Sequence, residues 1–156
     1  MSNQVMCSYC PRKAQRVGGS VIYPHRPDLH EKQFFYCAPC RAYVGCHPDG
    51  RPLGRLANAE LRAAKIAAHD ALDPLWRPFS AQHVAYPEER VVNKKLQRVM
   101  RKRAYAWLSV QMGTPVDDTH IGMFDVAECR RVVEVISGAR IDAAGIRLWF
   151  KERQHV

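Results

Sequence analysis

The chain holds no apolar run of the roughly 20 residues needed to span a bilayer, so a membrane-crossing helix is not expected. Its opening residues, Met1-Ser-Asn-Gln-Val5, have neither the basic stretch nor the apolar core of a secretory leader. Six cysteines in 156 residues are too few for a disulfide-dense scaffold, so a reducing cytoplasm is the expected setting. No segment repeats apart from two cysteine pairs, and none is of low complexity, which excludes solenoids and long disordered tails. Acidic residues are also scarce. Fifteen Asp+Glu against 24 Lys+Arg leave a formal charge of +9. That balance suits polyanions: nucleic acid first, then acidic protein surfaces, then anionic membrane. The excess is uneven, with 8 basic and 3 acidic side chains in residues 1–55, 10 and 5 in 56–110, and 6 and 7 in 111–156.

What the chain does have is a pair of knuckles, Cys7-Ser-Tyr-Cys10 and Cys37-Ala-Pro-Cys40. A C-x-x-C turn aims two thiolates at one point, and two such turns complete a tetrahedral all-sulfur set. Such a set leaves no open position for catalysis, so the expected cofactor is one structural Zn2+ held by Cys7, Cys10, Cys37 and Cys40. A thioredoxin-type redox motif fits less well, because it comes singly and follows a strand for which there is no room before Cys7.

At 47% hydrophobic the chain can bury one ordinary core. The fold class expected is α+β: a zinc-ribbon-like β lobe over residues 1–55 and a helical region over 56–156, packed as one compact unit. Within the lobe, residues 14–17, the pair Gly18-Gly19 and residues 20–23 read as a hairpin with a glycine turn. Residues 33–36 and 42–44 are of strand type, and the Gly- and Pro-rich stretch 45–54 is a loop. A first helix should start at Asn58 as N-cap, carry Leu61, Ala64, Ala68 and Leu72 inward, and stop before Pro74. Pro78 and Pro87 should bracket a loop. A second helix is expected over about 88–111, with an apolar stripe of Val92, Leu96, Val99, Met100, Trp107 and Val110, ended by Gly113 and Pro115. Asp125 opens a third helix through Val132, Val133 and Ile136, closed by Gly138, and Asp142 opens a fourth with Ile146, Leu148 and Trp149.

At about 100° per residue, Lys94, Lys95, Arg98, Arg101 and Lys102 fall on one face of the second helix, with Tyr105 on the same face and Arg103 inside the apolar sector. Five cations without interspersed acids form a candidate phosphate track. Arg12, Lys13 and Arg16 are expected to extend it across the ribbon, and Tyr23 or Tyr105 to stack on a base. The turn Tyr23-Pro-His-Arg26 adds His25 and Arg26 as ligand candidates, against the plainer reading of Tyr23 packed beneath a proline-fixed loop. His69 and Asp73, four apart on one helix, share a face and could hydrogen-bond. With His120 they are the candidate catalytic residues of a metal-dependent nuclease; an ordinary surface pair explains them equally well. Cys46, His47, His120 and Cys129 are candidates for a second metal site, although a cysteine facing inward on an apolar helix is more often a core residue.

The ordered landmarks Cys7-x-x-Cys10, Tyr23-Pro-His-Arg26, Cys37-x-x-Cys40, Tyr43-Val-Gly-Cys-His47, Pro52-Leu-Gly54, Leu61-Arg62, Ala68-His69, Asp73-Pro-Leu-Trp76, Ala104-Tyr-Ala-Trp-Leu108 and His120-Ile-Gly-Met-Phe-Asp125 with Cys129 run through nearly the whole chain. In these it resembles a family of phage and prophage zinc-finger-containing proteins. The resemblance implies a zinc-binding protein of the bacterial host cytoplasm and supplies no activity. From the residues, the expected function is nucleic-acid binding, DNA or RNA, through backbone phosphates. The alternative is a protein that docks the same basic face on a host protein or nucleoprotein machine.

Overall fold

The computed structural model describes residues 4–77 and 87–153, with side chains in the second stretch from residue 94 onward. It is α+β, and its contacts divide into two compact units, Met1–Ala63 and Ala64–Val156.

The first unit is built on an antiparallel sheet of three strands in the order β1-β2-β3: β1 (Gln15–Gly18), β2 (Gln33–Cys37) and β3 (Ala42–Gly45). Both knuckles sit at chain reversals. Cys7 N–H donates to the Arg12 carbonyl at 2.9 Å and Ala14 N–H to Val5 at 2.8 Å, folding the chain back around Cys7–Cys10. Cys37-Ala-Pro-Cys40 leads into the turn between β2 and β3, where Cys37 pairs with Ala42 and Arg41 takes a left-handed φ of 48°. The aromatic and β-branched residues expected to form these two strands do so.

The glycine-turn hairpin does not form. Residues 20–23 are not a strand; Gly19–Ile22 is a single helical turn, α1, and β1 pairs instead with β2, Val17 opposite Phe34. Gly19 is needed for a close approach and not for a positive φ. Its N–H donates to the Lys32 carbonyl at 2.8 Å, and a Cβ there would overlap the Leu29 carbonyl. Tyr23-Pro-His-Arg26 accordingly follows a helical turn and not a ribbon strand. Residues 46–54 form the expected loop, and Tyr43 and Ala57 then exchange backbone bonds of 3.1 and 3.0 Å.

Helix α2 (Ala59–Leu72) begins where Asn58 Oδ1 accepts the Leu61 N–H at 3.0 Å, an N-cap bond of the expected kind. It gives way to a 3-10 turn, Asp73–Leu75, that accommodates Pro74. The boundary between the two units falls inside this helix.

The second unit packs α3 (Pro87–Met112) against α4 (Val126–Ala139), α5 (Ala143–Glu152) and the 3-10 turns at 73–75 and 116–118. The loop expected after Pro78 lies outside the described residues, while Pro87 itself opens α3, where a missing N–H costs nothing. The end of α3 is closed as expected. Gly113 has φ 67°, and Thr114 N–H reaches the Ser109 carbonyl at 3.0 Å.

The inward face of α3 keeps Met100 and Trp107 of the stripe expected but not its other described members. Met100, Ala104, Tyr105, Trp107, Leu108 and Met112 are buried, whereas Leu96, Val99 and Val110 are exposed and Val92 lies outside the described side chains. The face has rotated toward Tyr105, which leaves the basic side. Helix α4 starts with a full capping box, Asp125 Oδ1 accepting from Glu128 N–H and Glu128 Oε2 from Asp125 N–H, both at 2.8 Å. Its end differs from expectation: the left-handed residue is Arg140, φ 49°, and not Gly138. Asp142 caps α5, which buries Ile146 but leaves Leu148 exposed.

Candidate metal centre and candidate nucleic-acid interface

The cysteines form much of the small core of the first unit. Its core is Phe35, Ala42 and Leu56 together with Cys7 and Cys37, and Cys10 and Cys40 pack against these. Units of about 60 residues are only marginally stable on apolar contacts, and a structural metal adds to them.

The four knuckle sulfurs lie within 4.8 Å of one another. Cys10 Sγ and Cys37 Sγ are 3.7 Å apart, and tetrahedral Zn–S bonds of about 2.3 Å require an S···S edge of roughly 3.8 Å. Cys7, Cys10, Cys37 and Cys40 are all free thiols. Tyr9 N–H donates to Cys7 Sγ at 3.4 Å, the kind of backbone support that holds a thiolate charge. The Arg12 backbone N–H brings the Cys10 thiol down to about 7, while Cys40, whose hydrogen bond to Cys10 requires its proton, is pushed up to about 12. Cys10 is thus the readiest of the set to give up its proton, and a dication that enters displaces the protons that thiols hold. The arrangement fits one structural Zn2+, whose chemistry is to tie the two chain reversals together.

Among the described residues no second group of three His, Cys, Asp or Glu converges. Cys46 is half-buried beside Arg16, and its burial pushes the thiol pKa up. His47 is exposed, and Cys129 is wholly buried on α4, the core role that an inward-facing cysteine usually has.

His69 and Asp73 do meet, Nδ1 to Oδ1 at 3.4 Å, but Asp73 is clasped more tightly by Arg77 Nη2 at 2.6 Å. Asp73 is only 7% exposed, so its carboxylate is a buried anchor between two partners. The Asp73 to Arg77 spacing of four was there to be read in the sequence; the intervening Pro74 hides it by suggesting that the helix has stopped. His120 does not join this pair in a group that could hold a metal ion. Its Nδ1 accepts the Gly122 N–H at 3.1 Å, and its ring lies nearly parallel to that of Tyr105, at 19° with centroids 6.1 Å apart.

The cations of α3 are placed as the helical projection requires. Lys94, Lys95, Arg98, Arg101 and Lys102 are all exposed, and among the described residues none is ion-paired with an acid. Arg103 is half-buried with its guanidinium 4.8 Å over Phe150, which explains how a cation survives in an apolar sector. Tyr105 is a correction: at 9% exposure it cannot stack on a base from the basic face. Its hydroxyl closes no hydrogen bond, and burial raises its pKa.

In the first unit Arg12, Lys13 and Arg16 are exposed, as expected of cations on a ribbon. Tyr23 is packed instead of presented: its ring meets Phe34 and Tyr43 edge-on at 5.7 Å each, and its hydroxyl bonds Tyr43 Oη at 2.9 Å. Arg62 covers the same cluster, 4.2 Å over the Tyr43 ring. Arg26 is exposed but held bidentately by Asp28 at 2.8 and 2.7 Å, which lowers the Asp28 pKa and spends the positive charge locally.

A family model for a zinc-finger-containing domain matches residues 3–139 of the chain. No curated protein and no solved structure matches it.

Proposed function

The chain belongs to the zinc-finger-containing family matched over residues 3–139, and on that premise we propose that it is a phage-derived protein of the bacterial cytoplasm that binds nucleic acid through backbone phosphates. The observation that carries the reading is the α3 face. Lys94, Lys95, Arg98, Arg101 and Lys102 stand exposed along two turns with no acidic partner among the described residues. A face kept charged only for solubility is usually interspersed with acids that form i,i+4 pairs.

In this reading zinc does no chemistry on the ligand; it holds the small unit in which Arg12, Lys13 and Arg16 provide a second set of exposed cations. Each phosphate contact displaces a condensed counterion, so affinity falls with salt in proportion to the number of contacts. A binding titration of the zinc-loaded protein against DNA and RNA over a range of salt concentrations tests this. The expected result is a steep log–log slope with intact strands. A salt-independent complex, or no complex, would remove the reading and leave an acidic protein surface as the partner of the same face.

A further inference from the structure

Alongside the cationic face, the second unit has a cleft of about 870 Å3 between α3, residues 116–120 and α5. A phosphate track needs no concavity, and a helix that packed only for stability would fill one. The surface of this cleft is mostly apolar, with cations among its lining residues. Val99 and Ala106 of α3, Val116 and Phe150 line it, while Arg98, Arg101 and Lys102, three of the five track cations, also belong to its wall.

We propose that the cleft takes one unpaired base of a single-stranded nucleic acid whose phosphates lie on those three cations. The proposal rests on the phosphate-binding reading of α3 and deepens it. Two aromatic platforms are already assembled. The His120 ring is backed by Tyr105 and held in orientation by the Gly122 N–H on Nδ1. Phe150 is capped by the Arg103 guanidinium at 4.8 Å. Aromatic rings beside cations are what single-strand sites use, since every base has a π-face that an aromatic ring can stack against. Tyr105 also lines the cleft, more than nine-tenths buried, with no hydrogen bond of good geometry at its hydroxyl and the Arg101 guanidinium 5.7 Å over its ring, so that a ligand in the cleft meets a polar group and a cation together. In a duplex the base faces are covered by their neighbours, so only a strand with a base out of the stack can enter.

The test uses fluorescence anisotropy of the intact zinc-loaded protein with three probes of equal length, each titrated over the same range of salt concentrations: a single-stranded oligodeoxynucleotide, an abasic strand and a duplex. The expected result is that the base-bearing strand binds roughly fivefold or more tightly than the abasic one, the scale of a single stacked base. His120→Ala should remove that advantage while leaving the salt slope unchanged, and Ala106→Leu, which adds bulk to the cleft lining from α3, should do the same. Equal affinity for base-bearing and abasic strands, or preference for duplex, overturns the base pocket and leaves the phosphate track standing. Failure of all three probes, and of the same base-bearing strand as RNA, to bind overturns both.

Discussion

Cys10 and Cys37 bring their sulfurs to 3.7 Å although 27 residues separate them in the chain. The two chain reversals that carry the knuckles are therefore closed on one another by sulfur, in a unit with few other buried groups. Replacing Cys37 with serine should abolish zinc binding, one ion per chain falling to none by metal analysis. Apparent binding free energies of structural zinc are on the order of 10–16 kcal/mol, so strand signal in circular dichroism should be lost with it. A chelator should reproduce the effect. Retention of one zinc with unchanged strand content in the Cys37→Ser protein would mean that these sulfurs are not the ligand set.

Two glycines should respond oppositely to the same change. Gly19→Ala drives a methyl into the Leu29 carbonyl and should destabilise the first unit by about 1–3 kcal/mol. At Gly138, inside α4, a Cβ meets nothing within 4 Å, so Gly138→Ala should stabilise by about 0.5–1 kcal/mol. Thermal denaturation of the two variants, compared side by side, checks both signs.

Asp125 and Glu128 satisfy each other's backbone donors at the start of α4. Asp125→Ala should cost about 1 kcal/mol in chemical denaturation without altering zinc content, because the cap acts on α4 alone. A loss near zero would mean that packing of Val132 and Ile136 determines where the helix starts.

Asp73 holds both Arg77 and His69 while almost fully buried. Asp73→Asn keeps the shape but weakens charge-assisted bonds, and should destabilise by about 1–3 kcal/mol. His69→Ala, which leaves the shorter Arg77 bond in place, should cost less. The reverse order would return His69 to consideration as a functional group.

Arg98 and Arg26 are both exposed arginines, but Arg26 is already bound to Asp28. Arg98→Ala should lower nucleic-acid affinity on all sequences and reduce the salt slope by about 1, whereas Arg26→Ala should leave both nearly unchanged. Equal effects would mean that net charge alone, and not the α3 face, governs binding.

The metal centre was legible in the sequence because a C-x-x-C turn is local chemistry: four residues suffice to aim two sulfurs, whatever surrounds them. The caps at Asn58, Asp125 and Asp142, and the glycine that ends α3, were legible for the same reason, each being a contact within one turn of the chain. The inward face of α3 was not. Periodicity says which side chains can share a face, but a helix of 26 residues, about 39 Å long, outreaches α4 and α5, with 14 and 10 residues, and only its neighbours decide which stretch is covered. Thus Leu96 and Val99 stay exposed, and Tyr105 turns inward against His120. The pairing of β1 with β2 was decided in the same way, by a backbone contact between Gly19 and residues 29–32 that no local pattern records. Sequence alone determined the zinc ligands, the helix caps at Asn58, Asp125 and Asp142, the glycine end of α3 and the exposed cations; tertiary packing decided the sheet pairing, the core face of α3 and the cleft beside it, because these depend on contacts between residues far apart in the chain.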